Sequence, residues 1–509
     1  MAKTSSDTGS KKPSKSSTKP PKITKPPKPH KTPPPPASLL INAWEQDPGA
    51  SAAADGGTLI QRSVPQLSAT PLPTKITHPS TAPAAGVYMP ATAEFRYWAC
   101  ADALRRGSDF WGSLIAGVQW QVGATLPVDL DHGQDLNAYY DRVGLRFFHG
   151  SVRSRTFYSG ESPDVVCHEL GHALLDAIKP QLWDAASLEV AAFHESFGDM
   201  SALLTALQLP SVRHSALAET QGVLYRSSAL SRLAEQLGWA IRQSYPDAVE
   251  SDCLRNAVNS FSYTAPQHLP SSGPASVLSA EAHSFSRVFT AAFFEGLAGM
   301  FKAQPSQDEN GLLRASHDAA TLLVAGIGSA AVVPAFYSQV AAQMILAAKQ
   351  QFAAQPYAQA LKSAFVRHGI LSPAAAATTE TASPRGMAEP AAELARVSLS
   401  VAEYGLSDEE VHVYAPSQAA QLAVAGGARG MGSSPDTAPT DAARAFLEHL
   451  LRRGRLKPQE EKGGQTRGLV ARSTAPDTHE THTHELRREG KDLVLRRLRI
   501  DCGPYCTHH

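Results

Sequence analysis

Cysteine is scarce, with five in 509 residues, at Cys100, Cys167, Cys253, Cys502 and Cys506. That excludes a disulfide scaffold, and the odd number leaves at least one thiol free or bonded to another molecule. Only Cys502 and Cys506 are near enough in sequence to suggest a local pair. Net charge is absent too: 47 Lys and Arg face 47 Asp and Glu, which excludes a basic nucleic-acid coat or an acidic solvating protein. The first residues contain no apolar run, so no cleaved signal peptide is expected, and the reading is a cytoplasmic protein or one exported without such a signal. The longest uncharged stretch, 319–348, is broken by Pro334 and carries Gln339 and Gln343; it reads as buried core helices, and no membrane span is predicted.

What is present is a globular composition, 42% hydrophobic and 18% charged. The charge is unevenly spread: residues 1–40 hold nine Lys and one Asp, net +8, against −8 for the remainder. This Lys/Pro-rich tail cannot bury a core and is expected to be disordered, with a protein partner possible. Residues 41–87 read as linker with a docking strand near 58–60, and folded sequence is expected over 88–371. A second linker is placed at 372–390, and a small accessory region at 391–509. There, 440–451 reads as a helix with Phe446, Leu447, Leu450 and Leu451 on one face, and 484–500 as a basic hairpin turning at EGKD. Arg487, Arg488, Arg496, Arg497 and Arg499 are read as a solvated strand face.

The chemistry concentrates in SPDVVCHELGHALLDAI, residues 162–178. Ser162 followed by Pro163 is a helix start, and Leu170, Ala173, Leu174 and Ile178 form an apolar face. His168 and His172 then project from one side, four residues apart, in the HExxH arrangement of two zinc-binding His and a Glu general base. Downstream, EVAAFHESFGDMSALLTAL carries Glu195 and, one helical turn on, Asp199. Glu195 would complete a His₂Glu set, and Asp199 is placed to accept the other N–H of a metal-bound imidazole.

HELGH followed by a helix with ExxxD resembles the gluzincin metallopeptidases, specifically the thermolysin family. Further resemblances follow in order. Asn137-Ala138-Tyr139-Tyr140 is similar to the family's edge strand, which holds the substrate backbone. Leu254-Arg255 is similar to its Leu-Arg, where the Leu lines the S1′ pocket and the Arg bonds a substrate carbonyl. His283 is similar to the His that stabilises the tetrahedral intermediate. Phe336-Tyr337 and YAQALKSAFVRHG resemble the closing helices. The resemblance implies an α+β, mostly α, zincin fold with a reduced N-terminal β-containing lobe, a helical C-terminal lobe and a small α+β appendage. It implies a zinc peptidase acting on peptide or protein substrates with an apolar P1′ preference, while the charge balance and the broken apolar run lead us to expect no nucleic-acid or membrane partner. The implied ligands are His168, His172 and Glu195, with Glu169 as base and His283 as oxyanion donor. A zinc-containing binding module that has lost catalysis is the other reading.

The departures from the family pattern are specific. His194 stands where the family has Asn, and Ala186 falls near its oxyanion-assisting Tyr. Leu278 replaces the Asp that orients the catalytic His, with Glu281 a candidate substitute. The acidic cluster of the paired calcium site does not follow Asp199, and Asp164 alone cannot hold calcium, so no calcium site is predicted there.

Overall fold

Apolar side chains at strand and helix spacing, separated by Pro, Gly and Ser, build a mixed α+β chain with small sheets and, among the described residues, no barrel. The computed structural model describes residues 39–49, 57–381, 394–404, 410–417, 438–457 and 481–501. Strand β1 (Leu40–Trp44) pairs antiparallel with β2 (Leu59–Ser63), and β3 (Thr74–His78) follows. These strands correct the linker reading of 41–87. Ile41, Ala43, Leu72 and Ile76 are buried in the main core, where scattered apolar residues suffice because their partners come from helix α1 (Ala93–Gly112) and the following sheet.

That sheet contains β4 (Leu126–Asp129), β5 (Ala138–Tyr140) and β6 (Leu145–Phe147), and a hairpin of β7 (His149–Val152) and β8 (Arg155–Tyr158) follows it. The chain then becomes helical, with α2 (Pro163–Ile178), α3 (Leu188–Ala206) and α4 (Pro210–Thr220). Short strands β9 (Arg232–Leu233) and β10 (Arg255–Asn256) pair antiparallel around α5 (Glu235–Arg242). Helices α6 (Ala282–Lys302), α7 (Glu309–Ser329), α8 (Phe336–Gln351), α9 (Tyr357–Arg367) and α10 (Pro373–Thr381) complete this part. The uncharged stretch 319–348 is divided between α7 and α8, and no helix among the described residues is long and apolar enough to cross a membrane. Helix α10 begins inside the segment read as a second linker, and its Ala375 and Ala376 join the main core.

The C-terminal module is a second sheet with one helix on it. Its strands β11 (Ala395–Ser400), β12 (Glu410–Ala415), β13 (Leu456–Lys457), β14 (His484–Glu489) and β15 (Asp492–Arg497) run in the order β11-β12-β15-β14-β13. Helix α11 (Pro439–Arg452) contributes Phe446, Leu447 and Leu450 to a core with Val411, Val413, Leu493 and Leu495. Pro439 occupies the first helical position after Ala438, which gives no side-chain cap, and proline's fixed φ suits that position. The hairpin turns at Gly490, whose φ of +66° suits a residue without Cβ. Past it, β16 (Ile500–Asp501) leaves this sheet and pairs antiparallel with β5, so the first sheet is ordered β16-β5-β6-β4-β3.

Candidate metal centre

Helices α2 and α3 create the site by close packing. Ser162 caps α2 by accepting from the Val165 N–H, and Ser187 caps α3 in the same way through Val190. A Cβ on Gly171 would lie 2.9 Å from Gly198 Cα, and one on Gly198 would lie 2.6 Å from the His168 ring. The two glycines therefore let the helices approach and leave the first imidazole its room. Leu170, Leu174, Phe193 and Phe197 are fully buried around them, each worth roughly 1.5–3 kcal/mol relative to exposure.

His168, Glu169 and His172 are buried, and one ligand atom from each lies within 4.8 Å of the others. Glu195 meets both imidazoles: His168 Nε2 to Oε2 is 3.3 Å and His172 Nε2 to Oε1 is 3.7 Å. Ligand atoms about 2.0–2.2 Å from a tetrahedral ion stand about 3.3–3.6 Å apart, so the Glu195 contacts are close to the span a metal ion would need. Neither His168 Nε2 nor His172 Nε2 has a hydrogen-bond partner, which is costly for a buried polar atom unless a ligand takes it.

Around this group the charges are paired. His168 Nδ1 lies 3.1 Å from Asp199 Oδ1, and Arg255 donates to the same carboxylate through Nε at 3.0 Å and a terminal nitrogen at 2.7 Å. Burial would raise Asp199, but Arg255 and His168 overcome it and hold it below the usual carboxylate range. Burial would likewise lower His168, and Asp199 and Glu195 instead raise it to about 9. At His172 desolvation outweighs the Glu195 charge and takes it down to about 3, and its Nδ1 has no hydrogen-bond partner. His194 stands on that side, its ring centroid 6.0 Å from that of His172, and burial keeps it neutral as well.

His283, at the start of α6, lies 3.1 Å through Nε2 from Glu195 Oε2, with its Nδ1 2.7 Å from Glu281 Oε1. Glu281 also caps α6 by accepting from the Ser284 N–H. Burial alone would lower His283, and the two carboxylates raise it well above its ordinary value. Its Nε2 further donates to the Asp501 carbonyl at 2.8 Å.

The remaining candidates are dispersed around this centre. Ala138 lies on β5, and Asn137 precedes it, accepting from the Ala138 N–H through its own side chain. Leu254 is buried, its N–H bonded to the Leu233 carbonyl, and Arg255 turns to Asp199. Ala186 offers no hydroxyl and is packed into the core of the C-terminal module, its N–H bonded to the Tyr414 carbonyl. Asp164 has acidic company, since Asp47 and Glu235 bear on it; burial and then Asp47 push it up to about 8. The possible thiol pair at Cys502 and Cys506 lies outside the described residues, while Cys100, Cys167 and Cys253 are buried and free.

Of the five arginines of the basic hairpin only Arg487 and Arg488 are exposed, which corrects the solvated-face reading. Arg496 bonds Glu489, Arg497 donates to the Trp183 carbonyl, and Arg499 is buried beside Asp501. Sequence reasoning also missed the contact of Asp501 with His283; its one available signal was Ile500, an isolated β-branched residue after a run of arginines. No protein-family model matches the chain, and no curated protein matches it.

Proposed function

We propose that this chain is a zinc-dependent peptidase of the thermolysin-like gluzincin type, hydrolysing peptide bonds with an apolar preference at P1′. The observation that carries the reading is the buried convergence of His168, His172 and Glu195, with Glu169 between the two imidazoles on α2 and His283 against Glu195. His168, His172 and Glu195 would hold the ion. Bound zinc supplies Lewis acidity and lowers the pKa of a coordinated water to about 7.

The chain's own groups do the rest. Glu169 takes the proton of the attacking water and returns it to the leaving amine. His283, kept protonated by Glu195 and Glu281, donates its Nε2–H toward the oxygen that gains charge. Asp199 fixes the His168 ring, and Arg255 fixes Asp199. The edge of β5 would hold the substrate backbone and Leu254 would line the P1′ pocket. With Ala186 where the family's Tyr falls, one oxyanion donor is missing, which typically costs about 2.7–4 kcal/mol of transition-state stabilisation.

The test is zinc content and peptide cleavage in the purified chain beside Glu169→Gln. Stoichiometric zinc in both, with cleavage only in the parent, is the expected result. Folded protein without zinc overturns the metal reading. Equal zinc with no cleavage in either leaves a zinc-containing binding module, the reading that Ala186 favours.

A further inference from the structure

Three observations meet at the end of the described chain. First, Ile500 and Asp501 form an antiparallel strand on β5, paired with Tyr140 and Tyr139 respectively. They fill the only exposed hydrogen-bonding edge that the β5 side of the first sheet would otherwise offer, because β6 occupies the other side. Second, the Asp501 carbonyl accepts from His283 Nε2, the group placed above as oxyanion donor. A peptide carbonyl therefore already sits where a reacting carbonyl would be held. Third, Ile500 is buried in the main core and not in the core of its own module, alone in this among the described buried apolar residues after 394.

The module presents this strand rigidly. Asp501 Oδ2 is 3.1 Å from Arg455 and 3.7 Å from Arg499, and all three side chains are buried. Arg455 also donates to the Thr481 carbonyl, while Leu498 N–H bonds the Thr483 carbonyl just ahead of the strand. Both partners of the Asp501 carboxylate thus come from the module itself. Behind them, Arg497 bonds the Trp183 carbonyl and the Ala186 N–H bonds Tyr414, which fastens the module to the loop between α2 and α3. A strand ordered in advance by its own scaffold binds at small entropic cost, which is how a peptide stays on a site as an occupant.

We infer that the C-terminal module is an intramolecular inhibitor, with Ile500–Asp501 seated on β5 and against His283 as the resident peptide of the substrate groove. This inference rests on the peptidase reading for its consequence, latency, but not for the seating of the strand. It also describes the ligand the groove accepts: an extended peptide that adds to β5 and carries an apolar side chain at the position of Ile500. A tethered strand competes at an effective concentration that reaches the millimolar range, so even a modest intrinsic affinity keeps most molecules closed.

The experiment uses the full chain loaded with zinc and compares it with Ile500→Pro, which removes a backbone N–H from β16 and the Ile side chain from its pocket, and with Asp501→Ala, which releases the strand from Arg455 and keeps its backbone N–H. Cleavage of a quenched apolar peptide, amide exchange at Ala138–Tyr140, and binding of a synthetic peptide with the sequence of residues 497–501 are measured together. Expected are a rise in kcat/KM of about tenfold or more in Ile500→Pro, a smaller rise in Asp501→Ala, faster exchange on β5, and peptide binding in the variants that the parent lacks. Faster exchange and peptide binding without cleavage in any protein would support the seated strand and sink the peptidase reading. Cleavage by the parent equal to that of both folded variants, with unchanged exchange on β5, overturns the inference and leaves the peptidase standing. Should Ile500→Pro fail to fold, Asp501→Ala decides by the same three readouts.

Discussion

The metal centre and the C-terminal module put their charges in opposite places. Around α2 and α3, His168, Glu195, Asp199, Arg255 and His283 are all in the interior, each offset by a partner, and the partly buried Glu281 pairs with His283. The module instead buries Val411, Val413, Phe446, Leu447, Leu493 and Leu495 and keeps pairs such as Arg396–Asp492 and Arg496–Glu489 toward solvent. The first region must pair its interior charge as well as bury its apolar side chains, while the second relies on apolar burial. The exception in the module is instructive. Arg455, Arg499 and Asp501 are buried, and they lie where the module faces His283. The module's interior charge therefore gathers on the side that meets His283 and β5.

The contrast is broken most severely at Asp199. Asp199→Ala leaves the Arg255 guanidinium buried without its carboxylate and frees the His168 ring. Removing one partner of a buried pair typically costs about 3–5 kcal/mol, and losing an outer partner of a ligand costs roughly 10–100-fold in metal affinity. Denaturant melts of the apo protein and zinc competition should show both losses. Unchanged zinc affinity would mean that Asp199 does not orient His168.

A milder probe is Glu189 on α3, a buried carboxylate away from the ligands. It accepts from the Tyr263 hydroxyl and, at 2.9 Å, from the Tyr337 N–H. Burial raises it to about 7, against 4.5 for the free side chain. The folded chain then holds a proton that the unfolded chain releases between those values, so stability falls as pH rises from about 4.5 through 7 and stays lower above. Glu189→Gln keeps the acceptor and removes the charge. It should match the parent at pH 4.5 and exceed it by about 2–3 kcal/mol at pH 8. Equal stability of the two at pH 8 would show that the site solvates the carboxylate.

These same residues show what a sequence can disclose. Ser162-Pro163, the four-residue spacing of His168 and His172, and that of Glu195 and Asp199 are local signals, and α2 and α3 follow them. The hairpin turn at Gly490 is local too. Long-range pairing left no such trace. Strands β1 to β3 are built from few apolar residues among Pro, Ser and Thr, and their burial depends on α1 and β4. Glu281, the candidate substitute for the missing Asp, reaches His283 Nδ1 from two residues upstream because it is also the helix cap. Arg497 and Arg499 looked solvated because nothing in their own neighbourhood names Trp183 or Asp501 as partners.

The smallest effect belongs to the rim of the module. Arg396 bonds Asp492 at 2.5 Å across β11 and β15, and both side chains are more than a third exposed. Short as it is, the contact is screened by water, and two flexible side chains lose freedom to make it. Neither cost applies to Asp199 and Arg255, where solvent is excluded and the rings and helices around them fix the geometry. Arg396→Ala should therefore leave the melting curve and zinc content of the full chain unchanged within error, at low salt as at high. A clear loss of stability that grows as salt is removed would show that the module also depends on charge pairing, and the division between the two regions would then fall away.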